Sequence, residues 1–195
     1  DLGYGWSHSY DWRVLRTGGK VIVRASGTGG ASDTCYTFKS VQAGLSVVNS
    51  GGHCLSRRAD GRYVLTTADR TRYAFTGGDR LSSVTTWNGT RIDVRRDSSG
   101  RIRRVRHANG RELAFTYSGD ALVRVETPDP AVWVEFSQRT SGDVRRLERV
   151  VRHDGNRAST NAYAYAGRPR PGTWRTPPSF YAAAYGAAAG GSLVP

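Results

Sequence analysis

The sequence is poor in several residue types, and each scarcity narrows the class of protein. Its 195 residues include no methionine, and only two of its 29 basic residues, Lys20 and Lys39, are lysines. The two cysteines, Cys35 and Cys54, lack the closely spaced second pair of ligands that a structural zinc site requires. No apolar run approaches the roughly 18 residues of a membrane-spanning helix. We therefore expect neither a zinc-binding domain nor a transmembrane segment.

Positive charge is what the chain has in excess. The 29 basic residues outnumber the 16 acidic ones and give a net charge of +13, which attracts polyanions such as acidic glycan or nucleic acid. The candidate residues for a polyanion-binding face are Arg95, Arg101, Arg103, Arg106, Trp87 and Trp133. Acidic polysaccharide is the expected partner rather than specific nucleic acid, because Phe115 and Tyr117 alternate with Leu113 like core residues and leave few aromatics for base stacking. The alternative is a solvated arginine face that protects sheet edges.

The spacing of Cys35 and Cys54 suits a disulfide. Closing a loop of this length would stabilise the fold by roughly 3 kcal/mol on a chain-entropy estimate, and such bonds are typical of exported proteins. Two buried free thiols are the alternative. We expect no metal and no other cofactor.

Strand signals dominate the chain. Short runs of β-branched and aromatic residues alternate with polar ones between Gly, Asn, Asp and Ser, as in 62–66 and 72–76. No stretch before residue 180 has a capped helical stripe. The pattern predicts an all-β protein.

A repeat of about 20 residues organises these strands. Turn dipeptides recur at 69–70, 88–89, 109–110, 129–130 and 154–155, and between them a small-residue turn precedes an aliphatic residue: Leu81, Ile102 and Leu122. Three positions after each aliphatic residue comes a valine, and a degraded copy begins at Gly142. Each unit holds two short strands, and its Asn-Gly dipeptide favours a type I′ turn. Since one hairpin cannot bury its apolar face alone, we expect neighbouring units to pair into a continuous antiparallel sheet.

Two motifs resemble those of one protein family. The segment 109–125, Asn-Gly-Arg-Glu-Leu-Ala-Phe-Thr-Tyr-Ser-Gly-Asp-Ala-Leu-Val-Arg-Val, resembles the YD repeat of RHS (rearrangement hot spot) proteins. The opening Gly-Tyr-Gly-Trp-Ser-His-Ser-Tyr-Asp-Trp at 3–12 resembles the Gly-x-Gly-Trp-Ser-His-x-Tyr-Asp segment that precedes those repeats. The resemblance covers about 57–166 and 3–16.

The resemblance implies a secreted or surface-exposed, non-enzymatic β-structure. In larger members of the family, a strip of YD repeats spirals into a shell around a toxin or forms part of a surface receptor. This chain has about five or six units, too few for a closed shell, and Asp129-Pro130-Ala131 lacks the glycine of the family's self-cleaving motif. We therefore expect an open, curved strip.

The domain organisation follows from these segments. We predict an N-terminal β segment at 1–56, a repeat sheet at 57–166 and a Pro-rich, then Ala/Gly-rich tail at 167–195. The tail is either a linker or an assembly arm that docks on a neighbouring subunit through Phe180, Tyr181 and Tyr185.

No catalytic constellation stands out. Ser7 and His8 are adjacent, so in a strand they would point to opposite faces, and the serine lacks the nucleophile-elbow motif. The carboxylates of the repeats alternate with apolar residues and are expected to pair with arginines across strands. We therefore expect no enzyme.

Three functional hypotheses remain. The leading one is an extracellular structural scaffold that joins identical subunits, or the rest of a larger RHS-type chain, in a fibre or a shell wall. The second is an adhesin-like module that binds acidic polysaccharide. The third is a container fragment of a polymorphic toxin.

Overall fold

The computed structural model describes residues 2–3, 6–26 and 34–165. Within these residues it has fifteen strands and no helix. A three-stranded sheet contains β1 (Arg13–Thr17), β2 (Lys20–Ala25) and β3 (Thr34–Lys39). A twelve-stranded sheet contains β4 (Ser46–Val48), β5 (Cys54–Arg57), β6 (Tyr63–Thr66), β7 (Arg72–Phe75), β8 (Leu81–Thr85), β9 (Arg91–Arg96), β10 (Ile102–His107), β11 (Glu112–Ser118), β12 (Ala121–Glu126), β13 (Val132–Ser141), β14 (Val144–Asp154) and β15 (Arg157–Ala162).

The larger sheet follows the order of the sequence. Its hydrogen-bonded order runs from β4 to β15 without a crossover, and neighbouring strands are antiparallel. The order has two ends, so the sheet is not closed. The all-β, open antiparallel architecture predicted from the repeat is confirmed.

The chain divides into two compact units. Among the described residues, the first unit comprises 10–26 and 34–112, and the second comprises 2–3, 6–9 and 113–165. These bounds differ from the predicted segments, because β4 and all but the last residue of β5 lie within 1–56 yet pair in series with β6 of the repeat sheet.

The hairpin loops of the first unit repeat one geometry. In seven loops the first residue donates its N–H to the carbonyl four positions later, and the residue three positions later donates back to the first carbonyl. This pattern is a three-residue loop whose last residue is left-handed. The loops begin 9 to 11 residues apart, at Asn49, Arg58, Thr67, Thr76, Thr86, Asp97 and His107. The first unit is thus a series of near-identical hairpins.

The predicted type I′ turns are wrong for this series. At Asn88-Gly89 and Asn109-Gly110 only the glycine has a positive φ, of 83° and 88°. The asparagine Oδ1 atoms instead accept the N–H of the residue two positions later, Thr90 or Arg111. This local hydrogen bond favours the three-residue loop, in which asparagine needs no positive φ.

The aliphatic-x-x-valine signal marks a β-bulge. In a regular strand, residues three apart lie on opposite faces. At β10 the register slips between Ile102 and Arg104, so Arg103 is the extra residue, and both Ile102 and Val105 are buried. The same slip occurs at β8, β12 and β14. At β14 the bulge places Leu147 and Val150 in the core, so the degraded copy of the repeat that begins at Gly142 has the same bulge.

The core of the first unit lies between its two sheets. Val14, Val23 and Phe38 of the small sheet are buried, as are Leu65 and Phe75 of the large one. Trp12, only 4% exposed, stacks on Tyr73 with ring centroids 4.0 Å apart and an interplanar angle of 13°. Burial beneath this ring, followed by the charges of Tyr36 and Asp69, raises the pKa of Tyr73 to about 12.

The second unit has longer strands, and three of its hairpins have tighter loops. Strands β13 and β14 are 10 and 11 residues long, and Gly119, Gly142 and Gly155 open two-residue loops with positive φ. Its apolar face contains buried Leu113, Phe115, Leu122, Phe136, Leu147 and Val150. Residues 2–3 and 6–8, which form no strand, contact this face through Leu2 and His8.

Candidate functional site

Residues of the opening motif, 3–12, make packing contacts and hydrogen bonds in each unit. In the second unit, Trp6 donates from Nε1 to the Tyr165 hydroxyl at 2.7 Å, and Tyr165 donates to the Leu147 carbonyl at 2.6 Å. A Cβ at Gly3, which has φ +99°, would lie 2.9 Å from the Arg145 carbonyl oxygen, so a larger residue would not fit.

The rest of the motif anchors the first unit. The carboxylate of Asp11 pairs with Arg13 at 3.2 Å and with Arg80 at 3.9 Å. Trp12 stacks on Tyr73 and accepts the Leu81 N–H on its carbonyl. Packing, hydrogen bonds and ion pairs therefore account for four residues of the motif: Gly3, Trp6, Asp11 and Trp12.

Most of the predicted polyanion-binding residues lie in the first unit. Arg95, Arg103 and Arg106 are exposed, and Trp87 is 75% exposed in the loop between β8 and β9. Strand pairing sets Arg104 directly opposite Arg95 and Arg106 opposite Asp93. A basic patch therefore exists on β9 and β10.

Local acids already pair with part of this patch. Arg101 binds Asp97 at 2.9 Å, and Arg104 binds Glu112 at 3.3 Å. Burial raises the pKa of Asp97, but hydrogen bonds from the backbone and side chain of Arg101 outweigh that effect and leave the pKa lowered. The Arg104–Glu112 pair joins β10 to β11, as expected for carboxylates of the repeats, whereas the Arg101–Asp97 pair lies within one loop.

Trp133 belongs to the second unit and is already engaged. Its ring stacks on His153 at 4.2 Å with an interplanar angle of 10°, and the Arg124 guanidinium lies 4.8 Å from the ring centroid. Its Nε1 donates to Glu135. The six predicted polyanion-binding residues are therefore divided between the two units, with Trp133 held by neighbours in its own sheet.

The predicted disulfide is not formed in the structure. Both thiols are free, with Cys35 exposed and Cys54 half-buried. Tyr36, the neighbour of Cys35 on β3, turns its ring toward His53 at 4.8 Å. Because successive side chains of a strand alternate between faces, Cys35 points away from the segment that carries Cys54.

A pocket in the second unit was not foreseen from the sequence. It has a volume of about 150 Å³ and lies between the N-terminal residues and the apolar face of the sheet. Its apolar wall includes Leu113, Leu122, Val125, Val134, Phe136 and Val150. Its polar lining residues are Ser7, His8, Thr127, Arg152, Ser159 and Asn161. Ser7 and His8 lie outside any strand, so both reach the same pocket despite being adjacent.

Strand β15 forms one end of the larger sheet. It pairs through six residues with β14, and within the described part of the chain no strand pairs with its other side. All six of its residues, Arg-Ala-Ser-Thr-Asn-Ala, are exposed. The assembly-arm residues Phe180, Tyr181 and Tyr185, and the tail at 167–195, lie outside the described residues.

A metal site and a membrane-spanning helix find no support in the described residues. Across residues 2–3, 6–26 and 34–165, no three His, Cys, Asp or Glu side chains are grouped to hold a metal. The same residues contain no helix long and apolar enough to cross a membrane. A comparison with protein-family models finds no matching family, and a comparison with curated proteins finds no match.

Proposed function

We propose that the chain is a non-enzymatic extracellular scaffold of the YD/RHS-repeat type, which builds a larger assembly by adding strands to the end of its sheet. The observation that carries this proposal is the outer edge of β15. Its N–H and C=O groups can template a further strand, since no strand of the described chain covers that side.

The composition of β15 supports this role. Natural edge strands are commonly protected by charged side chains, proline, a bulge or very short length. Strand β15 has six residues, of which only Arg157 at its start is charged and none is proline, and it pairs with β14 in an unbroken register. At the opposite end, β4 has only three residues. We therefore assign the joining role to β15, with the β15 strand of a second copy as its partner.

The repeated loops also fit a structural role. One loop geometry at intervals of 9 to 11 residues yields hairpins that pair in sequence order. Polysaccharide binding by the basic patch is the weaker proposal, because Arg101 and Arg104 are already paired with Asp97 and Glu112 and Trp133 belongs to the other unit.

The edge is tested by adding charge to it. Ala158 and Thr160 lie opposite His153 and Val151, on the face of β15 that is turned away from the pocket. The substitutions Ala158→Lys and Thr160→Lys place like charges across any β15–β15 contact, which opposes strand pairing. Because β15–β15 pairing uses the same edge of both copies, light scattering after gel filtration should show a dimer for the natural sequence, at twice the chain mass of 21.3 kDa, and a particle near 21.3 kDa for the double variant.

The control carries the same added charge elsewhere. Ser98→Lys with Ala108→Lys changes two exposed loop positions of the first unit, and this variant should still assemble. Assembly of the β15 variant at the natural level, or a natural chain that stays at 21.3 kDa over a wide concentration range, contradicts the proposal.

A further inference from the structure

We propose that the pocket of the second unit binds a small monocarboxylate with an apolar, ring-sized body. Two rim residues, Ser159 and Asn161, belong to β15, but the inference does not depend on the scaffold role. The pocket combines a deep apolar wall with a cation at its rim.

The apolar wall sets the size of the ligand. Leu113, Leu122 and Val150 are at most 3% exposed, and Phe136 and Val125 continue the same surface. An apolar cavity of roughly 150 Å³ admits a molecule the size of benzene. The pocket, at about 150 Å³, therefore suits a phenyl ring or a branched aliphatic group.

Strand register places the cation beside this wall. Arg152 lies opposite Val134 and two residues after Val150, so it occupies the same face of β14 as buried Leu147 and Val150. Its side chain is 23% exposed, and one guanidinium nitrogen lies 3.3 Å from the Asp154 carboxylate. A guanidinium has five N–H donors, so it can bind a ligand carboxylate as well as Asp154.

The rim adds neutral hydrogen-bonding groups. Ser159 faces Arg152 in the β14–β15 register, and Asn161 faces Val150. Both side chains are exposed, whereas the apolar wall is buried. An apolar interior with a few converging polar groups at its mouth is the usual form of a small-molecule site. A ligand would insert its apolar body first and leave its carboxylate at Arg152.

The experiment compares three probes of similar size: benzoate, toluene and benzylammonium. Binding to the full chain is followed by NMR titration of the methyl signals of Leu122 and Val125. Benzoate should bind most tightly, toluene more weakly, and benzylammonium weakest because its charge is repelled by Arg152.

Two variants separate the carboxylate contact from general charge. Arg152→Gln should weaken benzoate binding by about tenfold or more, the effect of losing a charged hydrogen bond, and leave toluene binding unchanged. Arg149→Gln removes the same charge from an exposed position on the other face of β14 and should change neither. A third variant, Val134→Phe, fills the pocket and should reduce binding of both probes.

Several results would overturn the proposal. These are no saturable binding of benzoate by the natural chain, equal binding of benzoate and benzylammonium, or an equal loss of benzoate binding in Arg149→Gln and Arg152→Gln. The last result would show attraction by net charge rather than by this site. The glutamine variants test the inference even if Val134→Phe does not fold.

Discussion

The two units use the same bulge but cover their sheets differently. In the first unit, strands of three to six residues alternate with three-residue loops, and a three-stranded sheet packs on the apolar face through Trp12. In the second, strands reach 11 residues, three of the loops have only two residues, and the strandless N-terminal residues leave a pocket of about 150 Å³. The repeat therefore specifies sheet pairing, while segments outside it determine how completely each apolar face is covered.

Removing an aromatic ring that covers the apolar face of each sheet should give the largest difference in stability between the two units. Trp12→Ala deletes a ring that is 4% exposed and stacked on Tyr73, and truncations of this kind cost about 3–5 kcal/mol. His8→Ala removes a half-buried ring 5.9 Å from Phe115 and should cost no more than about 1 kcal/mol. Chemical denaturation measures both free energies of unfolding.

Tyr73 supplies a local check on the Trp12 variant. Its pKa is raised to about 12 chiefly by burial, so exposing it should bring the pKa down toward the ordinary tyrosine value. Phenolate absorbance during alkaline titration reports this change. An equal loss of stability in both variants, or an unchanged Tyr73 titration in Trp12→Ala, would contradict the difference between the two covers.

Substitutions at the left-handed loop positions should change the stability by an intermediate amount. Gly89 has φ +83° with open space around it. The substitution Gly89→Ala should therefore lower the free energy of unfolding by about 1–2 kcal/mol, because alanine is strained in the left-handed conformation. Arg70 occupies the equivalent loop position with φ 66°, and Arg70→Gly should instead stabilise the first unit by about 0.5–1 kcal/mol. Thermal unfolding of both variants gives the sign of each change.

A glycine of the second unit tests whether loop type matters. Gly119 has φ +55°, also in open space, but lies in a two-residue loop. Its alanine variant should cost about the same as Gly89→Ala, since both place a Cβ in the left-handed region. A stabilising Gly89→Ala, or a destabilising Arg70→Gly, would show that these loops are not strained as their φ angles indicate.

Much of the sheet was predictable because the repeat signal and the packing coincide. Leu81, Ile102 and Leu122 recur at 20- to 21-residue intervals and are at most 2% exposed. The turn positions were predictable, but their type was not. Asn88 can adopt a left-handed conformation or bind its own backbone, and the sequence alone does not decide between these states.

The candidate site was less predictable because its parts are distant in sequence. Ser7, Val125 and Arg152 line one pocket, and no local pattern connects them. The spacing of three residues between each aliphatic residue and the following valine could have predicted the β-bulge. In a strand of period two, that spacing implies a bulge if both residues are core, and the bulge sets the register that places Arg152 beside the apolar wall.

The smallest expected effect is on the stability of the first unit at low pH. Asp69, in a three-residue loop of the first unit, accepts hydrogen bonds from the Thr67 hydroxyl and then from Thr71, and these lower its pKa. A lowered folded-state pKa stabilises the protein above the ordinary Asp value of about 3.9, and this contribution is lost as the pH falls through the folded value. Because Asp69 is largely solvated, we expect its contribution to the free energy of unfolding to be less than about 1 kcal/mol.

The substitution Asp69→Asn should therefore reduce the loss of stability at low pH that denaturation curves measure. Asp120→Asn, at an exposed loop position of the second unit, is the matched control. An unchanged acid profile in Asp69→Asn would mean that its hydrogen bonds do not favour the charged form.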